Sequence, residues 1–105
     1  MRNISIIGAG YVGFSIGVLL SQYNKIFFYD NDEYKVGLIQ KGESILNEPK
    51  IESLLNTYPQ NINASNNLYD ACKDAEIILI CIPTDFDETS KGFDTSAIEK
   101  IIKGI

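Results

Sequence analysis

A glycine-rich turn near the amino terminus constrains the fold of this chain more than any other feature. The motif G-x-G-x-x-G spans residues 8–13, directly after a β-branched run at residues 4–7 and directly before a segment with apolar residues at helical spacing. The acidic residue Asp30 follows a second apolar run, Lys25–Tyr29. A glycine-rich hexamer alone is weak support, but strand, glycine turn, helix, strand and acidic residue in this order predict a parallel βαβ unit.

Each part of the glycine turn has a mechanical role in binding a dinucleotide. Gly8 permits a tight turn, Gly10 lets a pyrophosphate approach the backbone, and Gly13 allows close contact between helix and strand. The free amides of the first helical turn, including those of Tyr11 and Val12, would point at phosphate from the positive end of the helix dipole. The sequence lacks the G-x-x-x-x-G-K-[ST] pattern of nucleoside triphosphatases. We therefore expect a dinucleotide at this turn.

Asp30 is predicted to bind the adenosine ribose. A carboxylate at that strand end offers two acceptor oxygens to the two ribose hydroxyls and repels a 2′-phosphate. Asn31 rather than arginine follows it, which favours NAD over NADP as the cofactor. The alternatives for Asp30 are a solvated carboxylate or a cap for the next helix. Lys35 lies in the first turn of that helix, where it fits a contact with the ribose or pyrophosphate and an ordinary surface charge equally well.

The helix after the glycine turn is expected to end near residues 22–24. Gly13 and Gly17 lie four residues apart, and two missing side chains on one face let a helix approach a sheet closely. The apolar residues whose helical spacing predicts this helix are Val12, Ile16, Leu19 and Leu20.

The remaining pattern continues the alternation of helices and strands. Asn31 or Asp32 can cap a helix through Gln40 that residues 41–42, Lys-Gly, would stop. Further along the chain we predict a loop at 43–47, a short helix from about Pro49 with Ile51, Leu54 and Leu55 on its apolar face, a weak strand at 62–64, a short helix at 68–72, and a strand at 76–82.

The last of these strands is the most hydrophobic segment of the chain, and its lack of alternation predicts a central parallel strand covered on both faces. Right-handed crossovers between parallel strands then give an α/β fold, a Rossmann-type doubly wound parallel sheet of strand order 3-2-1-4 with helices on both faces. Residues 96–99 resemble a capping box, and the apolar stripe of the helix they would start needs a sheet face to cover. A last helix normally returns to another strand, so residues 1–105 are expected to be part of a longer protein.

Pro83 and Thr84 come just after the predicted strand at 76–82. They fall beside the switch point where dinucleotides cross this kind of sheet, so both are candidate cofactor contacts, with a strand-ending turn as the alternative. The acidic loop that follows does not fit a calcium site, because Thr89 and Ser90 stand where an EF-hand needs a ligand and a glycine. We expect no bound metal.

Composition excludes several classes of function. A formal net charge of -5 gives no basic footprint for nucleic acid or an anionic membrane. The chain has no histidine, which removes Ser-His and Cys-His catalysis. Cys72 and Cys81 have no obvious activating cation, and we interpret them as reduced, non-catalytic residues, with Cys81 in the core. Without a signal-peptide pattern at the start of the sequence, a cytoplasmic location is expected.

The motifs together resemble the UDP-glucose 6-dehydrogenases within the UDP-glucose/GDP-mannose dehydrogenase family. The resemblance runs through the glycine turn at 8–13, Asp30 with Lys35, the segment 82–87 and residues 93–96. It implies an N-terminal NAD-binding domain in which Val12, Asp30, Lys35 and Thr84 contact NAD together with the glycine loop. GDP-mannose and UDP-N-acetylmannosamine dehydrogenases share this plan, so the sugar stays open.

The same resemblance implies an activity for the full-length protein. The family oxidises UDP-glucose to UDP-glucuronate with two NAD, through a cysteine whose position lies beyond this chain, so Cys81 is not that cysteine. The rest of the NAD domain, a central helix and the UDP-sugar-binding domain would also lie beyond it. We therefore expect the isolated chain to be inactive and the full-length protein to be a homodimer.

Two alternatives from other classes share a glycine loop and an acidic strand end. One is a stand-alone NAD-sensing regulatory domain of the kind that controls potassium transport, against which the segment 83–96 argues. The other is a methyltransferase that uses S-adenosylmethionine, a ligand without a pyrophosphate.

Overall fold

Strands and helices follow one another along the chain, with two helices between the second and third strands. The computed structural model describes residues 1–81 and the backbone of residues 86–87 and 92–93. In chain order the elements are β1 (Asn3–Ile7), α1 (Tyr11–Leu20), β2 (Lys25–Tyr29), α2 (Glu33–Gln40), α3 (Pro49–Thr57), a 3-10 turn (Pro59–Asn61), β3 (Ile62–Ser65), α4 (Leu68–Cys72), β4 (Ile77–Ile80), β5 (Phe86–Asp87) and β6 (Gly92–Phe93).

The first four strands form one parallel sheet in the order β3-β2-β1-β4, which confirms the predicted order. The short strands β5 and β6 pair antiparallel in a separate two-stranded sheet that the sequence did not indicate. The register of the main sheet places Ile7 opposite Tyr29, so β1 and β2 end side by side. Consequently the glycine turn after β1 and Asp30 after β2 lie at the same sheet edge.

Helices cover both faces of the sheet. On one face, a Cβ built at Gly17 of α1 would meet the side chains of Phe28 and Ile6. On the other, the Ser5 hydroxyl donates to the backbone carbonyl of Ala71 in α4. Because neighbouring residues of a strand point to opposite faces, Ser5 and Ile6 place α4 and α1 on opposite sides of β1. This arrangement is the doubly wound α/β fold.

The glycine face of α1 packs on the sheet, as the four-residue spacing of Gly13 and Gly17 predicts. Gly13, Phe14, Gly17 and Val18 are buried, whereas Val12 and Leu19 are 65% and 40% exposed. Helix α1 carries no charged residue, so apolar spacing did not distinguish its two sides. The two glycines decide the orientation, because only the glycine face can approach the sheet closely enough for the Phe14 and Phe28 rings to stack at 5.5 Å between centroids.

Strand β4 departs from its prediction as a central strand covered on both faces. It is shorter than predicted and lies at the end of the described sheet, with Ile77 and Ile80 39% and 42% exposed. Cys81, which follows it, is half-buried and packs at the margin of the core rather than inside it. A run of apolar residues predicts a strand, but it does not say how many strands lie beside it.

The helix boundaries follow from local hydrogen bonds. Asp32, one of the two predicted caps, accepts hydrogen bonds from the amides of Tyr34 and Lys35 and begins α2. Helix α2 ends at Gln40, and two residues later Gly42 has a φ of 79°, in the left-handed region that favours glycine. Helix α3 begins with Pro49 behind a Glu48 cap. Among the described residues, no helix is both long and apolar enough to cross a membrane.

Candidate dinucleotide-binding site

The glycine turn joins β1 to α1 and is held against β2. Gly8 has a φ of 104°, a conformation that L side chains rarely adopt, so glycine is required there. Its amide donates to the carbonyl of Tyr29 at 2.8 Å. Gly10 is the N-cap of α1, and its carbonyl accepts the first helical hydrogen bond, from the Phe14 amide at 2.9 Å. The chain therefore turns tightly and enters the helix directly above the ends of β1 and β2.

Gly13 is a packing glycine. A Cβ at this position would lie 2.0 Å from the carbonyl oxygen of Gly8 and 3.0 Å from the Cβ of Cys81. The oxygen belongs to the backbone of a tight turn and cannot move aside without opening the turn. The first turn of α1 thus rests on the glycine turn and on the residue that follows β4.

Gly10 is different, because the described protein gives no reason for a glycine there. Its φ of -80° and ψ of -163° are open to any residue. A Cβ built at this position meets nothing within 4 Å in the described part of the chain. The missing side chain therefore leaves open space in front of the backbone, which is what a closely approaching phosphate group requires.

The amides around this space are available to a ligand. Within residues 1–81, the backbone N–H groups of Gly10, Tyr11, Val12 and Gly13 have no hydrogen-bond acceptor. No acidic side chain occupies the first turn of α1. The side chains of Tyr11 and Val12 are exposed beside these amides, with Tyr11 79% exposed. Unpaired donors at the positive end of a helix dipole suit an anion such as a diphosphate.

Asp30 lies at the other side of the turn, and its carboxylate points toward the glycine loop. Oδ2 accepts a hydrogen bond from the Ala9 amide at 2.9 Å, and Oδ1 accepts one from the Asp32 amide at 2.9 Å. The helix cap is supplied by Asp32, so the alternative role of Asp30 as that cap is wrong. Each carboxylate oxygen can accept a second hydrogen bond, which leaves capacity for two hydroxyl groups.

Of the three other predicted cofactor residues, the structure describes only one. Lys35 is half-buried in the first turn of α2, and its side chain makes no ion pair with the described residues. Pro83 and Thr84 lie outside the described residues. The residues that sequence reasoning missed are Ala9 and Asp32, which are the backbone donors to Asp30. The parallel register of β1 and β2 was the signal that would have brought Ala9 and Asp30 together.

Neither cysteine has the environment of a nucleophile. Burial raises the pKa of the Cys72 thiol, and a hydrogen bond with Ser5 only partly lowers it. Burial also raises the pKa of Cys81, whose amide continues the sheet by donating to Ile7 at 2.7 Å. Both thiols are therefore protonated at neutral pH. Within the described ranges, no group of three acidic or cysteine side chains is placed to hold a metal ion.

A pocket of about 530 Å³ lies at the opposite end of the sheet. It is lined by residues from the amino ends of the strands and from the region of α4, among them Ser5, Lys25, Asn63 and Asp70. Ligands of open parallel sheets bind outside the carboxyl ends of the strands. The glycine turn and Asp30, rather than this pocket, therefore form the candidate site.

Comparison with known proteins agrees with this geometry. The family model described as the UDP-glucose/GDP-mannose dehydrogenase family, NAD binding domain, matches residues 2–105. UDP-glucose 6-dehydrogenase of Streptococcus pneumoniae is 37% identical over 101 residues, covering 96% of this chain and 26% of that protein. UDP-glucose 6-dehydrogenase of Campylobacter jejuni is 34% identical over 105 residues, covering 98% of this chain and 27% of that protein. The chain thus spans about a quarter of the length of these relatives.

Solved structures show the same fold. A ternary complex of GDP-mannose dehydrogenase from Pseudomonas aeruginosa superposes with a TM-score of 0.88 at 30% identity, covering 100% of this chain and 24% of that one. A UDP-glucose dehydrogenase from Pyrobaculum islandicum superposes with a TM-score of 0.87 at 20% identity, covering 99% and 24%. With the family model matched over nearly the whole sequence, the chain belongs to the UDP-glucose/GDP-mannose dehydrogenase family, and within that family it corresponds to the NAD-binding domain.

Proposed function

We propose that the protein containing this chain is a UDP-glucose 6-dehydrogenase, which oxidises UDP-glucose to UDP-glucuronate with two NAD. The observation that carries the cofactor role is the open space at Gly10, where amides have no acceptor within residues 1–81 and the Asp30 carboxylate holds the adjoining Ala9 amide. The choice of sugar is supported by sequence identity, which is 37% and 34% with two UDP-glucose 6-dehydrogenases and 30% with the GDP-mannose 6-dehydrogenase of Pseudomonas aeruginosa.

In this proposal different residues of the site bind different parts of the cofactor. Gly8 adopts the left-handed conformation that the tight turn needs, and Gly13 lets the first turn of α1 pack against that turn. The amides from Gly10 onward, including those of Tyr11 and Val12, bind the two phosphates. Asp30 accepts hydrogen bonds from the adenosine ribose and repels a 2′-phosphate, so NAD is preferred over NADP.

Three further residues complete the proposed cofactor contacts. Lys35 extends from α2 toward the ribose or the pyrophosphate. Pro83 and Thr84, which follow β4 in the sequence, are assigned as further cofactor contacts. Their backbone or hydroxyl groups are the contacts that a dinucleotide crossing the switch point would meet.

The chain itself is proposed to bind NAD without oxidising a sugar. Burial raises the pKa of both thiols and the chain has no histidine, so neither cysteine is activated for a covalent step. The relatives are about four times longer, and we assign the sugar-binding and catalytic residues to a further part of the protein. We also propose that residues 1–105 belong to one partial NAD-binding domain of a cytoplasmic homodimer.

Substrate profiling of the full-length protein tests which nucleotide sugar it oxidises. The protein is incubated with NAD and, in separate reactions, UDP-glucose, GDP-mannose or UDP-N-acetylmannosamine, while NADH formation is followed by absorbance. UDP-glucose should give two NADH for each sugar consumed, and the other two sugars should give little. Preferential oxidation of GDP-mannose would leave the NAD site in place and overturn the proposed substrate.

Calorimetry of the chain itself tests which cofactor it binds. Residues 1–105 are titrated with NAD, NADP, ATP and S-adenosylmethionine. We expect weak binding with a preference for NAD, because we assign the nicotinamide half of the site to a further part of the protein. Tighter binding of S-adenosylmethionine would contradict the dehydrogenase proposal, and NADH formation by the chain with UDP-glucose would contradict its expected inactivity.

A further inference from the structure

The backbone of the glycine turn needs an anchor. Glycines at positions 8 and 10 flank Ala9, and glycine populates many backbone conformations that other residues avoid. A binding site made of backbone amides works only if those amides are fixed in direction before the ligand arrives. Part of the anchoring comes from the buried Ala9 methyl group and from the Gly8 amide, which donates to Tyr29.

The remaining anchor is the Asp30 carboxylate. Within the part of the chain that the structure describes, the hydrogen bond from Ala9 to Asp30 Oδ2 is the one contact between a side-chain polar atom and the backbone of residues 8–13. The carboxylate is itself held, because Oδ1 accepts from the Asp32 amide at 2.9 Å. The Asp30 backbone amide in turn donates to the carbonyl of Ser65 at 3.4 Å. The Asp30 side chain thus connects the turn after β1 to the residues after β2, and its backbone connects them to the end of β3.

We propose that Asp30 is a positioning residue for the diphosphate subsite in addition to its role at the ribose. By accepting from Ala9, it sets the plane of the Gly8–Ala9 peptide and thereby the direction of the amides that follow. Removal of the carboxylate therefore weakens the binding of the diphosphate even in a ligand that has no ribose hydroxyls. This inference rests on the proposed NAD site and adds a coupling between its two halves.

Charge repulsion alone predicts the opposite effect of removing Asp30 on diphosphate binding, so experiment can distinguish the two explanations. A carboxylate near a diphosphate repels it, so replacing Asp30 with a neutral residue should strengthen the binding of an anion if charge alone mattered. If Asp30 positions the turn, the same replacement should weaken binding. A ligand with a diphosphate but no ribose diol distinguishes positioning from repulsion, because it cannot form the hydrogen bonds that Asp30 would make to the sugar.

The probe is 2′,3′-dideoxyadenosine 5′-diphosphate, titrated by calorimetry into the full-length protein and its variants. Asp30→Ala should lower the affinity for the probe by about five- to tenfold, the net size of one typical hydrogen bond. Asp30→Asn retains one acceptor oxygen and should recover most of that loss. Asp74→Ala and Asp74→Asn are the matched controls, since Asp74 is an exposed carboxylate at the opposite end of the sheet, and they should leave the affinity unchanged.

Hydrogen exchange of the ligand-free protein supplies a second readout. The Ala9 amide should exchange at least tenfold faster in Asp30→Ala than in the wild type, and Asp30→Asn should restore part of its protection. Tighter or unchanged probe binding by Asp30→Ala, or an Ala9 amide whose exchange does not respond, would overturn the positioning role. A wild-type protein that binds neither NAD nor the probe would overturn the proposed function, while the exchange of Ala9 would still decide whether Asp30 holds the turn.

Discussion

Replacing Gly10 with alanine separates the needs of the ligand from the needs of the fold. The new methyl group would meet no atom within 4 Å among the described residues, and the backbone angles suit alanine. Loss of glycine freedom in the unfolded chain stabilises by about 0.4–1 kcal/mol. Alanine is a poorer N-cap than glycine, which costs about 0.5–1 kcal/mol. The two effects offset, so the free energy of unfolding should change by less than about 1 kcal/mol.

Cofactor binding should respond very differently to Gly10→Ala. The methyl group would stand where the diphosphate has to approach the amides, so the affinity for NAD should fall at least tenfold, which is about 1.4 kcal/mol or more. The assay combines denaturant unfolding with calorimetric titration of NAD into the full-length protein. A large loss of affinity without a loss of stability is the expected signature.

Gly37→Ala is the matched control. Gly37 lies within α2, and a Cβ there also meets nothing within 4 Å in the described chain. Because alanine has the higher helix propensity, this variant should be more stable by about 0.5–1 kcal/mol and should bind NAD as the wild type does. Normal NAD binding by Gly10→Ala would show that the ligand does not need this glycine, and unfolding of the variant would show that the glycine serves the fold.

Three further predictions concern stability and thiol chemistry. Gly17→Ala should destabilise the protein by about 1–3 kcal/mol in denaturant unfolding, because the new Cβ would lie 2.2 Å from the buried Phe28 ring; unchanged stability would contradict the close helix–sheet contact. Asp32→Ala should lower the free energy of unfolding by about 1 kcal/mol because α2 loses its cap, and Asp32→Asn should restore most of that loss. Equal stability of the two variants would argue against the cap. Alkylation of Cys72 and Cys81 should be slower than that of a free thiol at neutral pH and should accelerate as the pH rises through their raised pKa values, as mass spectrometry can follow; fast labelling at neutral pH would be inconsistent with burial.

Much of the fold was accessible to sequence reasoning because its signals are local. The glycine turn follows one strand, and Asp30 ends the next, so the βαβ unit is visible within the first 30 residues. Alternation of helices and strands then fixes the strand order through the right-handedness of crossovers. The Asp32 cap and the Gly42 stop of α2 also follow from short-range chemistry.

The errors arose where the outcome depends on packing between distant segments. Helix α1 is apolar on nearly every side, so its spacing did not reveal that Phe14 and Val18 face the sheet while Val12 and Leu19 do not. The apolar composition of β4 likewise did not reveal its partial exposure, since burial of a strand depends on what lies beside it.

The site shows the same division between local and distant information. The residue types at the glycine turn and at Asp30 indicated a dinucleotide, because each has a mechanical role that sequence spacing reveals. The hydrogen bond between Ala9 and Asp30, which follow neighbouring strands, was missed because it depends on the register of those parallel strands and on one side-chain rotamer.

The central claim is that the amides around Gly10 bind the diphosphate of NAD while Asp30 binds the adjoining ribose. A crystal structure of the full-length protein with NAD tests it most directly. We expect phosphate oxygens within hydrogen-bonding distance of the Tyr11 and Val12 amides, and both ribose hydroxyls on Asp30. A structure in which the protein's own side chains fill the space at Gly10, or in which Asp30 points away from the ribose, would contradict the claim.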